Sequence, residues 1–198
     1  MTMKPAILTP SRGDCLFTYT SDLVELIRYE LTVKNRSVPF GGSIGSILSN
    51  LRLGMVNGAL THGATHLLMI DSDMRFPPDT LDRLLSHDVD IVAANCVPRG
   101  GGGTTARRAD YSQIPSKGKT GLERAHIVGF GVVLISAAVF RKLERPWFLM
   151  PYDADTRRHL TDDVYFCLRA REAGFTIWVD HDLSQKVGHS AGPSELWI

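Results

Sequence analysis

Apolar and polar positions follow two periods along this chain, and stretches of the two periods alternate. Ala6 to Thr9 is a short apolar start closed by Pro10. From Thr20 to Lys34 the apolar residues Leu23, Val24, Ile27 and Leu31 recur at helical spacing, which predicts a helix. Asp22 with Glu25 three residues later resembles a capping box at its start. Ser43 is placed to cap a second helix with Ile44, Ile47, Leu48, Leu51, Met55 and Ala59 on one stripe, ending at Gly63. Asn50 and Asn57 lie off that stripe, where they can face a ligand. Thr65 to Ile70 is a continuous apolar run and reads as a strand buried on both faces. Pro77 and Pro78 open a helix through Leu85, and Asp90 to Val97 is another strand. His126 to Ile135 is a strand rich in Val and Ile that holds Gly129 and Gly131, and Ser136 caps a short helix to Leu143. Thr161 caps a helix with Asp162 and Asp163 in its first turn, Val164, Cys167 and Leu168 on its buried face, and Gly174 at its end. Phe175 to Val179 is a closing strand.

Strands and helices that alternate at short intervals imply an α/β domain, with a mostly parallel sheet and helices on both faces. The 198 residues, 43% hydrophobic and 22% charged, suffice for one such domain spanning 1–198. Lys plus Arg is 22 and Asp plus Glu is 21, a net charge of +1, which excludes a basic coat or an acidic tail as the main feature. No apolar run approaches the roughly 18 residues of a membrane helix, and Met1 to Pro10 lacks a long apolar leader. Cys15, Cys96 and Cys167 are too widely separated for a zinc site or a disulfide framework, so a reducing, cytoplasmic setting is expected. Arg99 to Leu122 breaks the periodic pattern. It carries Gly100 to Gly103 and the cations Arg99, Arg107, Arg108, Lys117 and Lys119 against Asp110, and reads as a flexible basic loop, either plain surface or a lid over an anionic ligand.

Chemistry concentrates at a few places. The strand Leu67-Leu68-Met69-Ile70 ends abruptly in Asp71-Ser72-Asp73. Ligands of open parallel sheets bind outside the carboxyl ends of strands, and two hard oxygen ligands there suit Mg²⁺ or Mn²⁺. A turn before Pro77 explains the same residues without a ligand. Asp162 and Asp163 favour the helix dipole, and a carboxylate fixed in this way can also act as a general base. His189 is an ordinary late histidine or a neutral ligand completing a site begun by Asp73, with His181 a weaker candidate. Gly129 and Gly131 mark a packing bend or a close approach, and Trp147 and Phe148 are core aromatics or a wall for an acceptor.

The order of these segments is more specific than any one of them. Ile70-Asp71-Ser72-Asp73-Met74, Phe76-Pro77, Val128-Gly129-Phe130-Gly131, Pro146-Trp147-Phe148, Thr161-Asp162-Asp163 and Gly188-His189 together resemble a glycosyltransferase of the Rossmann-like GT-A fold. The chain is most similar to short, family-2-like enzymes of bacteriophages and bacteria, from Asn50 onward. The resemblance implies a hexosyltransferase that moves a sugar from a nucleotide-diphosphate donor, UDP by family precedent, with Mn²⁺ or Mg²⁺ as cofactor. It implies a D-x-D role for Asp71, Ser72 and Asp73, with Asp73 binding the metal most directly and Asp71 holding the ribose or sharing the metal, and a metal-shell role for His189. It implies that Asp163 is the base of an inverting reaction and that Asp162, in the usual Glu place, binds acceptor or sugar hydroxyls. Thr9, Pro10, Ser11 and Arg12 match the nucleotide-holding turn. Asn50 and Arg52 stand near a donor-binding Arg-Asn pair, here in the order Asn-Leu-Arg. Gly129, Phe130, Gly131 and Trp147 are then the acceptor-binding candidates. The basic loop makes a polyanionic acceptor an option, such as hydroxymethylated bases of phage DNA, which would place the enzyme in the host cytoplasm.

Three other readings stay open. A metal-dependent phosphohydrolase or nuclease could use the same acids, although two-metal hydrolysis calls for more bridging carboxylates. A nucleotidyltransferase making nucleotide sugars calls for a Gly-rich phosphate loop, at which Ser11-Arg12-Gly13 only hints. A binding module could keep the fold without turnover.

Overall fold

The computed structural model describes residues 3–98, 101–154 and 157–190. The chain opens with β1 (Pro5–Ser11), α1 (Phe17–Thr32), β2 (Phe40–Ile44), α2 (Leu48–Thr61), β3 (His66–Ile70) and β4 (Met74–Arg75). Next come α3 (Thr80–Ser86), β5 (Ile91–Ala94), β6 (Leu122–Ala125), β7 (Val132–Ser136) and α4 (Ala137–Lys142). β8 (Tyr152–Asp153), β9 (Arg158–His159), α5 (Asp162–Glu172), β10 (Ile177–Asp180), α6 (His181–Ser184) and β11 (Gly188–His189) complete the described elements.

The main sheet has the order β2-β1-β3-β7-β5-β10-β6. β1 runs parallel to β2 and β3, and β10 runs parallel to β5. β7 is antiparallel to both β3 and β5, and β6 is antiparallel to β10. Five strands therefore share one direction against two, the mostly parallel sheet that the sequence predicts. Alternation along β3 sends Leu67 and Met69 into one core and Leu68 and Ile70 into the other. The first core packs against α2, α4 and α5 and contains Phe130, Phe140, Phe148 and Phe166. The second packs against α1, α3 and α6 through Tyr19, Leu23, Leu84 and Leu183. Each large apolar side chain buried in this way contributes about 1.5–3 kcal/mol.

Several expected boundaries are corrected. α1 starts at Phe17, and Asp22 sits inside it instead of forming a capping box. The Asp22 carboxylate instead accepts from Arg75 Nε at 2.6 Å and from the Phe76 N–H at 3.2 Å, a long-range pairing that outcompetes the local cap. Val24 and Leu31 are exposed, while Tyr19, Leu23, Leu26 and Glu30 are buried. Ser43 does not cap a helix. It lies in edge strand β2 opposite Pro10, and α2 begins only at Leu48. Of the expected strand from His126 to Ile135 only the part from Val132 is strand, as β7; β6 ends before it, at Ala125. The bend between them uses its glycines for close packing. A Cβ on Gly129 would meet Thr105 at 2.9 Å, and one on Gly131 would meet Met74 Sδ at 3.2 Å.

In segment 99–122, Arg99 and Gly100 lie outside the described residues, as does the tail from Ala191 to Ile198. The described remainder packs onto Asn95. Its amide donates to Ile114 O at 2.6 Å and Ser116 Oγ at 3.1 Å, and its Oδ1 accepts from the Ala106 N–H at 2.9 Å. Glu123 gathers Arg108, Lys119 and His181. Burial opposes its ionisation, yet these three partners hold the carboxyl down at about 2. Among the described residues no helix is long and apolar enough to cross a membrane.

Candidate active site

β3 delivers Asp71-Ser72-Asp73 to the carboxyl edge of the sheet, where a cleft of about 700 Å³ opens. Pro10, Ser11 and Arg12 after β1 form one side of it, and Gly129, Phe130 and Gly131 before β7 form another. Asp71, Ser72, Asp73, Asp163 and His189 line it as well, so residues from five separate stretches of sequence meet in one place.

Each acid is held differently. The Asp71 N–H donates to Gly131 O at 3.0 Å, which ties the D-x-D turn to the glycine bend. Asp71 Oδ1 accepts from Arg52 Nη2 at 2.9 Å. Asp73 is buried, and its carbonyl accepts from the Ser190 N–H at 2.6 Å. β11 pairs with β4, placing His189 opposite Met74, and this short ladder carries the imidazole to the D-x-D turn. His189 Nε2 comes within 4.0 Å of Asp73 Oδ2. Asp163 stands in the first turn of α5, its carboxylate taking the Thr161 hydroxyl and the Val164 N–H. Thr161 thus contributes no side-chain cap to the helix itself, because its hydroxyl serves Asp163.

Arg52 lies behind the cleft. Only 2% exposed, it donates from Nη1 to Asp162 Oδ2 at 2.8 Å while Nη2 holds Asp71, and its guanidinium lies 5.2 Å from the Phe130 ring centre. One buried cation therefore ties the D-x-D turn, the N-terminus of α5 and the glycine bend together. Burial pushes the Asp71 carboxyl above its ordinary value despite Arg52, with Asp73 and Asp163 adding to the rise. Burial alone would lower the Arg52 value, but Asp71 and Asp162 outweigh it and raise it. Cys96 also lines the cleft, and burial pushes its thiol up to about 12.

Other sequence-predicted site residues lie elsewhere. Thr9 is buried beneath the cleft, hydrogen-bonded to the Tyr19 hydroxyl. Asn50 is exposed on α2 and does not line the cleft. Asp162 is buried under Arg52, and Trp147 belongs to the aromatic core, 5.2 Å from Phe140, with its indole N–H on Leu143 O. Asp14, Leu16, Leu48 and Thr105 line the cleft without any signal in the sequence. Arg52 did leave one, a cation at a core position of the apolar α2 stripe, beside Met55 and Val56.

Among the described residues no three His, Cys, Asp or Glu side chains form a metal-holding group. Arg52 takes Oδ1 of Asp71, which leaves its second carboxylate oxygen together with Asp73 and His189 as the candidate protein donors. Two ligands of one octahedral cation at about 2.1 Å each lie about 3.0 Å apart when adjacent and about 4.2 Å apart when opposite, so at 4.0 Å Asp73 and His189 can reach one Mg²⁺ or Mn²⁺ only from roughly opposite sides. A cation of this kind keeps positions for water and phosphate oxygens, so two protein donors suffice.

No family model and no curated protein matches the sequence. Among solved structures the chain is similar to A197 from STIV, with a TM-score of 0.60 and 15% identity over 89% of this chain and 81% of that one. It also aligns with a glycosyltransferase involved in the glycosylation of the major capsid of PBCV-1, with a TM-score of 0.49 and 14% identity over 96% of this chain and 94% of the other. For S. aureus TarS the TM-score is 0.49 and the identity 14%, over 96% of this chain and 37% of TarS. At 15% identity the likeness to A197 establishes the fold alone. It agrees with the sheet order and with the acid-bearing edge in giving the chain a mixed α/β, Rossmann-like domain of GT-A type.

Proposed function

We propose that the chain is a metal-dependent glycosyltransferase that moves a sugar from a nucleotide-diphosphate donor, UDP in the simplest case, to an acceptor hydroxyl. The observation that carries this reading is the convergence of Asp73, His189 and Asp163 on one cleft at the carboxyl edge of the sheet. Asp73 and His189 would hold a divalent cation, which when bound would supply Lewis-acid stabilisation of the negative charge on the leaving diphosphate. Ser11 shapes the donor turn, its hydroxyl donating to Asp14 O at 2.7 Å and accepting from the Gly13 N–H at 3.1 Å, and Arg12 lines the cleft beside it. Asp163 takes the acceptor proton, which favours inversion, and Gly129, Phe130 and Gly131 form the acceptor wall. Asp162 and Arg52 position these groups from behind.

Segment 99–122 borders the site, because Thr105 within it and Pro98 just before it line the cleft. An acceptor of hydroxymethylated DNA would draw on its cations. Arg107 donates to the Thr104 and Ala106 carbonyls, and Arg108 and Lys119 serve Glu123, so much of that charge is used internally. All three cysteines are unpaired, the state that a reducing cytoplasm maintains, and we place the reaction there.

Calorimetry with UDP and Mn²⁺ tests the assignment. Parent protein and Asp163→Ala are expected to bind UDP only with the metal, and Asp73→Ala is expected to lose that dependence. Equal metal-dependent binding by parent and Asp73→Ala would overturn the role given to Asp73.

A further inference from the structure

A second cavity, of about 410 Å³, opens at the opposite edge of the sheet, where β6 ends and β10 begins. Arg108, Arg124, His126 and Arg171 line it, and no Asp or Glu does. Arg108 is partly committed, to Glu123 Oε1 at 2.8 Å and Gln113 O at 2.7 Å. Among the described residues Arg124 and Arg171 have no acidic partner. Arg124 lies over the Trp178 ring at 5.3 Å, and Arg171 donates to His126 Nε2 at 2.8 Å. A guanidinium has no acceptor, so this contact requires an unprotonated Nε2 and places the imidazole proton on Nδ1. His126 Nδ1 is buried, and it has no hydrogen-bond partner among the described residues. Three cations therefore line the space with no carboxylate among them, and His126 keeps a buried N–H donor without a partner beside it.

We propose that this cavity binds a tetrahedral oxyanion, the phosphate group of a small ester or of a nucleic-acid backbone. The assignment is independent of the chemistry at the opposite edge of the sheet. The carbonyl end of α5 opposes an anion here, so the guanidinium groups must supply the attraction. Binding is coupled to His126. Burial and the neighbouring Arg171 both lower its pKa. The groups around it are Arg108 and Arg124 across the cavity, Arg171 on α5 and the Tyr111 ring at 5.7 Å. Asp110, next to Tyr111, is turned to the Ser112 N–H. An anion bound beside Arg171 and His126 offsets the repulsion between them, so the imidazole keeps its second proton to higher pH. By linkage, the anion binds more tightly as pH falls through the His126 titration.

Sulfate is the probe, because its charge stays constant where histidine titrates. In the full protein, sulfate is expected to shift the His126 ring resonances saturably and to move their titration midpoint upward. Arg171→Gln and Arg124→Gln remove exposed side chains and should fold; each is expected to weaken sulfate by about tenfold or more. Asp73→Ala, at the other edge, should bind sulfate as the parent does. Inorganic phosphate and a short single-stranded oligonucleotide then separate the sources. Tighter oligonucleotide binding that fades steeply with salt and is lost in Arg171→Gln assigns a nucleic-acid backbone, and equal affinities assign a small ester. A non-saturable response at His126, or unchanged sulfate affinity in Arg171→Gln, would overturn the proposal.

Discussion

Arg52→Ala is expected to lower the stability of the protein by about 3–5 kcal/mol, the range for removing one partner of a buried ion pair. The physical reason is what stays behind. The Asp162 side chain is 5% exposed and would lose its guanidinium, and Asp71, whose carboxyl burial already pushes upward, would lose the group that opposes that rise. The lost contact with Phe130 adds to the cost. For a chain of 198 residues, about 2–4 °C per kcal/mol converts this into a drop in Tm of about 6–20 °C. Arg52→Lys keeps the charge but lacks the fork that reaches two carboxylates at 2.9 and 2.8 Å, so it should fall between parent and alanine variant. Denaturant unfolding of the three proteins measures this. A loss under about 1 kcal/mol for Arg52→Ala would mean that the pair behaves as a solvated one and that Arg52 does not hold the site.

Asp163→Ala is expected to reduce kcat by about 10²–10⁴-fold, the usual contribution of a positioned general base, and to leave donor affinity unchanged. Asp163 is half-buried in the first turn of α5, with its carboxylate fixed by Thr161 and the Val164 N–H, and it faces the same cleft as Asp73. A residue that only capped the helix would instead cost stability, about 0.5–2 kcal/mol, and leave turnover per folded molecule intact. Steady-state kinetics together with a thermal melt separate the two. A lower Tm with unchanged kcat would remove Asp163 from the reaction.

Much of the architecture was legible because the core strands have no alternative use. The run ending at Ile70 can only be a strand buried on both faces, and the D-x-D that follows it must then lie at the carboxyl edge. Ser136 was legible as a cap for the same local reason, its hydroxyl accepting from the Ala138 N–H. What could not be read depended on long-range partners. Phe40-Gly-Gly-Ser-Ile44 has poor strand propensity and becomes a strand only because β1 offers its edge. Asp22 looks like a cap until Arg75 is folded against it. His189 was placed by resemblance, and the two-residue ladder that carries it to Asp73 is invisible to periodicity. The resemblance implies a donor role for Arg52, and the structure buries its side chain against Asp71 and Asp162. Trp147, flanked by Pro146 and Phe148, looked equally suited to wall or core, and the aromatic cluster claimed it.

The cleft is proposed to break the bond between sugar and diphosphate, which identifying the nucleotide product tests most directly. Parent protein incubated with a UDP-sugar and Mn²⁺, without acceptor, should slowly release UDP and free sugar, and the release should stop in Asp73→Ala. Release of UMP and a sugar phosphate would show cleavage within the diphosphate instead, and would contradict the transferase.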